Sequence, residues 1–210
     1  MRVTMEDLLE ERQVEQLYHF TRAVNLLNIF KYGLLPRKDL EEENIDSDYN
    51  DDYRYDKCLN AVCMSIEFPN YRMFYRLRQD NPDVDWAVLR LDAQILCDYK
   101  CAYCWTNAGD STMYNTPLKE RSGKKAFLEL FEDRPNYPKR KDLHIADWYP
   151  TNPQAEVLVF GEIPIEYIDE VCFENREVLN SYKDDIPHGV KTRVNSTVFD
   201  PREDWKCWQK

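Results

Sequence analysis

The stretch PTNPQAEVLVFGEIP, residues 150–164, constrains the fold of this chain more than any other. Residues 155–160 form a short apolar, β-branched run with prolines before it and Gly161 and Pro164 after it, the pattern of a buried strand with punctuated ends. One residue interrupts the run. Glu156 puts a carboxylate just inside the strand, where an isolated charge is costly, so it must be hydrogen-bonded, paired or at work.

Glycine usage removes several alternatives. The five glycines stand at 33, 109, 123, 161 and 189, and no two are separated by a single residue. Neither GxGxxG nor GxxxxGK[ST] can be written, and no GxSxG nucleophile elbow is present, so the common phosphate cradles and hydrolase motifs lack support. Only three histidines, at 19, 144 and 188, are available for metal sites or catalytic triads.

A chain of 210 residues, 43% hydrophobic and 32% charged, suits one globular domain over 1–210. No apolar segment is long enough for a membrane span, and MRVTMEDLLEERQVEQ is too acidic for a signal peptide, so the expectation is a cytoplasmic protein without a membrane partner. Seven cysteines, an odd set, suit reduced thiols in that compartment. Cys97, Cys101 and Cys104 include one CxxC, but no second pair completes four ligands and His144 joins only if the fold recruits it; packed thiols are the expectation, and no metal.

The net charge of −11 opposes a general attraction to nucleic acid. The charge is uneven, however. Acid dominates EEENIDSDYNDD (41–52), whereas base gathers in KERSGKK (119–125) and RPNYPKRK (134–141). A local basic groove and solvated loops of mixed sign both fit this distribution.

Along the chain the patterns predict a helix over 5–16, a strand at LYHF (17–20), and a helix capped by Thr21. In that helix Ala23, Leu27, Phe30 and Leu34 share a face and Gly33 provides the stop. Residues 37–57 read as a long loop, 60–68 as a strand, YRMFYRLRQ as a short helix and 86–91 as a strand. Residues 97–118 look irregular, 123–133 helical, and 163–173 contribute a further strand or two before a short helix and an aromatic tail. Strands and helices intermix without βαβ alternation, which makes α+β the expected class.

Polar residues collect at the predicted strand ends: His19 and Thr21 in LYHFT, Arg54 in DDYRYD, and Glu156. Each alone has an ordinary structural explanation, as a core histidine, a local ion pair or a strand-terminus acceptor. In combination, LYHFTRAVNLLNIFKYGLL, RYDKCLNAVCMSIEFPNYRMFY and PQAEVLVFGEIP resemble three blocks of the DarT-like family of nucleic-acid ADP-ribosyltransferase toxins, together covering most of residues 17–165. The central block is worded differently from the family's usual form, which marks a divergent branch.

The resemblance implies a compact α+β ADP-ribosyltransferase fold whose split sheet holds NAD+, consumed as substrate, in its cleft. It implies Glu156 and Arg54 as catalytic residues, His19 and Thr21 at the nicotinamide and ribose end, and Asn25, Tyr71 and Tyr75 in the pocket wall. Breaking the nicotinamide–ribose bond builds positive charge on the sugar, which a carboxylate stabilises while taking the proton of an attacking base. Arginine offers a planar fork of donors to a pyrophosphate or a base edge. A target base has to be single-stranded or flipped out. Arg134, Tyr137, Lys139, Arg140, Lys141, Trp148 and Tyr149 interleave charge with aromatic rings just before Glu156, as single-strand binding requires. The expected partners are single-stranded DNA, with RNA the second choice, and a neutralising antitoxin protein. A protein-directed transferase and an inactive nucleic-acid-binding module of the same fold are the alternatives.

Overall fold

A computed structural model describes residues 3–49 and 56–209. In chain order the elements begin with helix α1 (Met5–Arg12), strand β1 (Gln16–Arg22), helices α2 (Leu26–Tyr32) and α3 (Arg37–Glu42), and strand β2 (Ala61–Ile66). Helix α4 (Tyr71–Asp80), strand β3 (Trp86–Asp92), helix α5 (Ile95–Asp98) and strand β4 (Cys101–Cys104) follow. Helices α6 (Ser111–Tyr114), α7 (Gly123–Leu128) and α8 (Arg140–Leu143) precede strands β5 (Glu156–Phe160) and β6 (Ile168–Phe173), helix α9 (Arg176–Tyr182) and strand β7 (Lys191–Val194).

The strands lie in the order β4-β5-β2-β1-β3-β6-β7, with only β6 and β7 parallel. The class is α+β. Strand β1 pairs with β3 along its whole length, from Gln16↔Asp92 to Arg22↔Trp86, but with β2 only at Leu17↔Ile66 and Tyr18↔Ser65. Strand β2 instead follows β5, from Ala61↔Phe160 to Met64↔Val157. Beyond Tyr18 the two central strands part, and the sheet splits into two halves joined at one end. Polar groups facing the gap cannot complete a ladder there and take other partners.

Both faces of the sheet are covered, which explains the unbroken apolar strands. Leu17, Leu89, Leu91, Val157 and Val159 pack with Leu26, Phe30 and Phe127 on one side. Leu158, pointing the other way, meets Ala102, Cys104 and Met113. Under α4, Phe74, Trp86, Val88 and Phe199 form a further cluster, with Phe20 stacked on Phe74 at 4.6 Å between ring centres.

Several expectations change. The predicted long loop over 37–57 opens with α3, supported by Arg37–Glu41 and Lys38–Glu42 pairs at i,i+4 spacing. Thr21 caps no helix but lies in β1. A 3₁₀ turn over Ala23–Asn25 precedes α2 and shifts its phase, so Leu26, Ile29 and Phe30 are buried while Leu27 is 56% exposed. The irregular stretch 97–118 contains β4, whose Cys101 and Cys104 are buried; burial pushes both thiols up to about 12. Strand β7 escaped the sequence reading because all four of its residues are exposed on a sheet edge, so no apolar alternation marks it. No helix among the described residues is long and apolar enough to cross a membrane.

Candidate active site

The split between β1 and β2 opens into a cavity of about 170 Å³. Glu156 lines it from the first position of β5, opposite Cys104 of β4, and is only 7% exposed. Its place is fixed by the preceding turn. Ala155 N–H donates to the Asn152 carbonyl, Thr151 N–H to that of Leu130, and the buried Arg202 guanidinium to those of Pro150 and Thr151. The C-terminal segment therefore locks the entry to the strand that bears the carboxylate.

The carboxylate itself is gripped. Oε1 accepts from Asn70 Nδ2 at 3.0 Å and Asn107 Nδ2 at 3.1 Å, and Oε2 accepts from the Ala108 backbone N–H at 2.7 Å. Each amide is oriented from behind. Asn70 Oδ1 accepts the Met73 N–H to cap α4, its backbone N–H donates to Ser65 Oγ, and Asn107 Oδ1 accepts the Gly109 N–H. With both Oδ1 atoms engaged as acceptors, only the Nδ2 groups can face the carboxylate. The sequence reading missed Asn70 and Asn107; the Asn-Tyr start of α4, with Asn at an N-cap position, was the signal for the first.

His19 stands at the point where the strands part. Its Nδ1 lies 2.9 Å from the Cys63 carbonyl of β2. A carbonyl only accepts, so Nδ1 carries the proton, and the imidazole bridges the split where the backbone ladder stops. Thr21 and Asn25 also line the cavity and are buried. Asn25 Nδ2 donates to Thr21 Oγ1 at 3.0 Å and to the Asp48 carbonyl at 2.9 Å, while its Oδ1 accepts the Asp48 N–H. Asn25 thus ties the segment after α3 to the end of β1. Gly33, at φ 88°, ends α2 against the Ile163 carbonyl, which a Cβ would approach to 3.1 Å; it lets the chain pass the cavity edge closely.

Arg37 is the only arginine or lysine among the described lining residues, with its guanidinium 4.2 Å from the ring centre of Tyr49. Sequence reasoning missed it because it sat in the presumed loop. Arg54 lies outside the described residues. Tyr71 and Tyr75 are not among the described lining residues: Tyr71 is buried beneath α4, Tyr75 is 56% exposed, and Met73 faces the cavity from that helix. Helical geometry turns residue 73 away from the 71/75 face.

The basic, aromatic loop is largely committed to its own architecture. Arg134 donates to the Glu129 carbonyl and carboxylate and lies over Trp105. Arg140 donates to the carbonyls of Ala146, Asp147 and Tyr149. Tyr137 packs edge-on against Trp105, Trp148 is half-buried against the core, and Tyr149 meets Phe68 with Arg202 over its ring. Lys139 and Lys141 are exposed. None of these seven residues is among the described lining residues of the cavity. Among the described residues, no group of three His, Cys, Asp or Glu side chains is placed to hold a metal ion.

Glu156 is thus clamped on a flanking strand at the wall of a cleft between the parting strands of a split sheet. The family model described as ssDNA thymidine ADP-ribosyltransferase, DarT, matches residues 18–200, and the chain belongs to the DarT family. Solved structures share the fold. Thermosipho africanus DarTG in complex with ADP-ribose matches with a TM-score of 0.63 at 19% identity, over 88% of this chain and 50% of that chain, so this chain spans half of that protein's length. Thermus sp. 2.9 DarT in complex with NAD+ matches with a TM-score of 0.58 at 14% identity, over 88% of this chain and 97% of that one. Thermus sp. 2.9 DarT in complex with ADP-ribosylated ssDNA matches with a TM-score of 0.56 at 13% identity, over 90% of this chain and 97% of that one. Comparison with curated proteins returns no match.

Proposed function

We propose that the protein transfers ADP-ribose from NAD+ to a thymidine base in single-stranded DNA, with Glu156 as its working carboxylate. The observation that carries this reading is the grip on Glu156: three oriented donors hold a buried carboxylate at the wall of the cleft. NAD+ would lie between the sheet halves, within reach of His19 and Thr21. As the bond between nicotinamide and ribose breaks, the pair of electrons leaves with nicotinamide and positive charge develops on the sugar, which Glu156 stabilises. A base nitrogen then bonds to the anomeric carbon and Glu156 takes its proton. In this reading Arg54 serves the pyrophosphate or the target base, and Arg37 supplies a second cation at the cavity wall.

The family description supports DNA over RNA and names the base. Such an activity damages the cell that holds it, so we assign the protein a toxin role in the cytoplasm, opposed by an antitoxin that binds it or removes the mark. The test incubates the protein with labelled NAD+ and matched single-stranded DNA, RNA and protein mixtures, beside Glu156→Ala. Label is expected in DNA alone and only with the glutamate intact. Label in protein would replace the target, and equal transfer by Glu156→Ala would remove the central claim.

A further inference from the structure

Helix α4 carries a face that the catalytic machinery leaves unused. Its buried side is made by Tyr71 and Phe74, and Arg78 is tied to the Phe199 carbonyl and to Glu174. Arg72, Tyr75 and Arg76 all point outward, Tyr75 with 56% of its surface exposed. Among the described residues, neither arginine has an ion pair or a side-chain hydrogen bond; the interaction partners of Arg78 stand in contrast. On a protein of net charge −11, two uncompensated arginines beside an exposed ring form a local exception.

The position of this face relative to the reaction is set by the helix itself. Asn70, at the N-cap of α4, donates directly to Glu156. Met73 lines the cavity, and Arg76 follows it at i+3, on the neighbouring strip of the helix surface. Arg72 and Arg76 stand one turn apart, about 6 Å along the axis, close to two steps of about 3.4 Å along a stacked nucleic-acid strand. A single strand delivering a base to Glu156 must leave the cleft somewhere, and this helix starts at the carboxylate and continues away from it over Trp86 and Phe199.

We propose that Arg72, Tyr75 and Arg76 form the landing surface for the single-stranded DNA that flanks the reacting base. The arginines take phosphate oxygens and Tyr75 stacks a flanking base. This inference rests on the reading of the site as a DNA ADP-ribosyltransferase and adds the path of the strand. It also shifts Tyr75 from the cofactor pocket to the polymer substrate.

The test measures transfer from labelled NAD+ to a thymidine-containing 20-mer across a salt series, for the intact protein, Arg72→Gln/Arg76→Gln and Tyr75→Ala. The double variant is expected to raise KM for the 20-mer at least tenfold and to flatten the dependence of log KM on log salt by about 1.4, two phosphate contacts at about 0.7 each. Tyr75→Ala is expected to raise KM for DNA about tenfold, with Tyr75→Phe restoring it because the ring is kept. In each case KM for NAD+ holds within twofold, which also shows that the variants fold. An unchanged KM for DNA and an unchanged salt slope would overturn the proposal. Absence of transfer by the intact protein to any nucleic acid would instead defeat the activity on which it rests.

Discussion

Glu156 and Glu170 are both buried glutamates in one sheet, 7% and 4% exposed, but they sit in opposite halves and in different company. Glu170, within β6, faces Arg90 of β3 at 3.4 Å and Arg193 of β7 at 3.5 Å, a cross-strand charge cluster. Burial and this carboxylate together push the neighbouring Cys172 thiol up to about 12. Glu156 stands at a strand's first residue, gripped by two side-chain amides and a backbone N–H, and lines the cavity. Glu170 is not among the residues that line it. Burial of a carboxylate therefore does not identify a reactive group. What separates the two is place: Glu156 stands at the edge of the split and Glu170 away from it.

The two glutamates should respond differently to the same substitution. Glu156→Gln removes the charge and turns one oxygen into an amide that faces a donor; transfer should fall by a factor of about a hundred or more, and the thermal midpoint should fall as well because a buried donor loses its acceptor. A variant retaining most of its turnover would erase the distinction. Glu170→Gln should retain transfer within twofold yet lower stability by about 1–3 kcal/mol, because Arg90 loses its counter-charge. The value stays below that of a fully buried pair because Arg193 is 59% exposed. A thermal shift of about 2–4 °C per kcal/mol reads it out.

Asn107→Ala sharpens the comparison from the Glu156 side. It removes one of the donors that aim the carboxylate, so kcat should fall about tenfold while KM for NAD+ changes less. An equal fall in stability and kcat without that separation would mark Asn107 as merely structural. The smallest effect belongs to Glu67, a third part-buried carboxylate, held by the N–H groups of Glu15 and Gln16. Burial raises its pKa, against the lowering effect of those two N–H groups. The fold thus favours the protonated form: the stability this gives is present below the unfolded value and lost as pH rises through the raised folded one. Glu67→Gln, which mimics the neutral acid, should match the parent at about pH 4 and melt at a higher temperature at neutral pH. Parallel melting curves against pH would refute this.

Much of the frame was legible. β2, β3 and β5 announced themselves as apolar runs because both faces of the sheet are covered. β7 did not, since an exposed edge strand has no core to face, and β4 did not, since four residues between loops carry too little period. Of the residues expected at the site, Glu156, His19, Thr21 and Asn25 converge on one cavity. Asn70 and Asn107 were missed because amides 37 residues apart become partners only through a third residue, Glu156. The loop at 134–149 shows the converse: its charge reads as available in sequence, yet Arg134 and Arg140 direct donors to nearby carbonyls. Side-chain supply is written in sequence; whether a donor is already satisfied is not.

The sequence by itself determined the α+β class, the strand that carries Glu156, the absence of glycine-rich phosphate loops and the three blocks that place the chain in its family. These are local properties, set by hydrophobic period, turn chemistry and residue identity. The tertiary structure decided that β1 leaves β2 after two pairs, that Asn70 and Asn107 meet on one carboxylate, and that α4 turns Met73 inward but Arg72, Tyr75 and Arg76 outward. Each of those depends on which distant groups become neighbours, because a hydrogen bond or a cavity wall is a relation between segments and no single segment contains it.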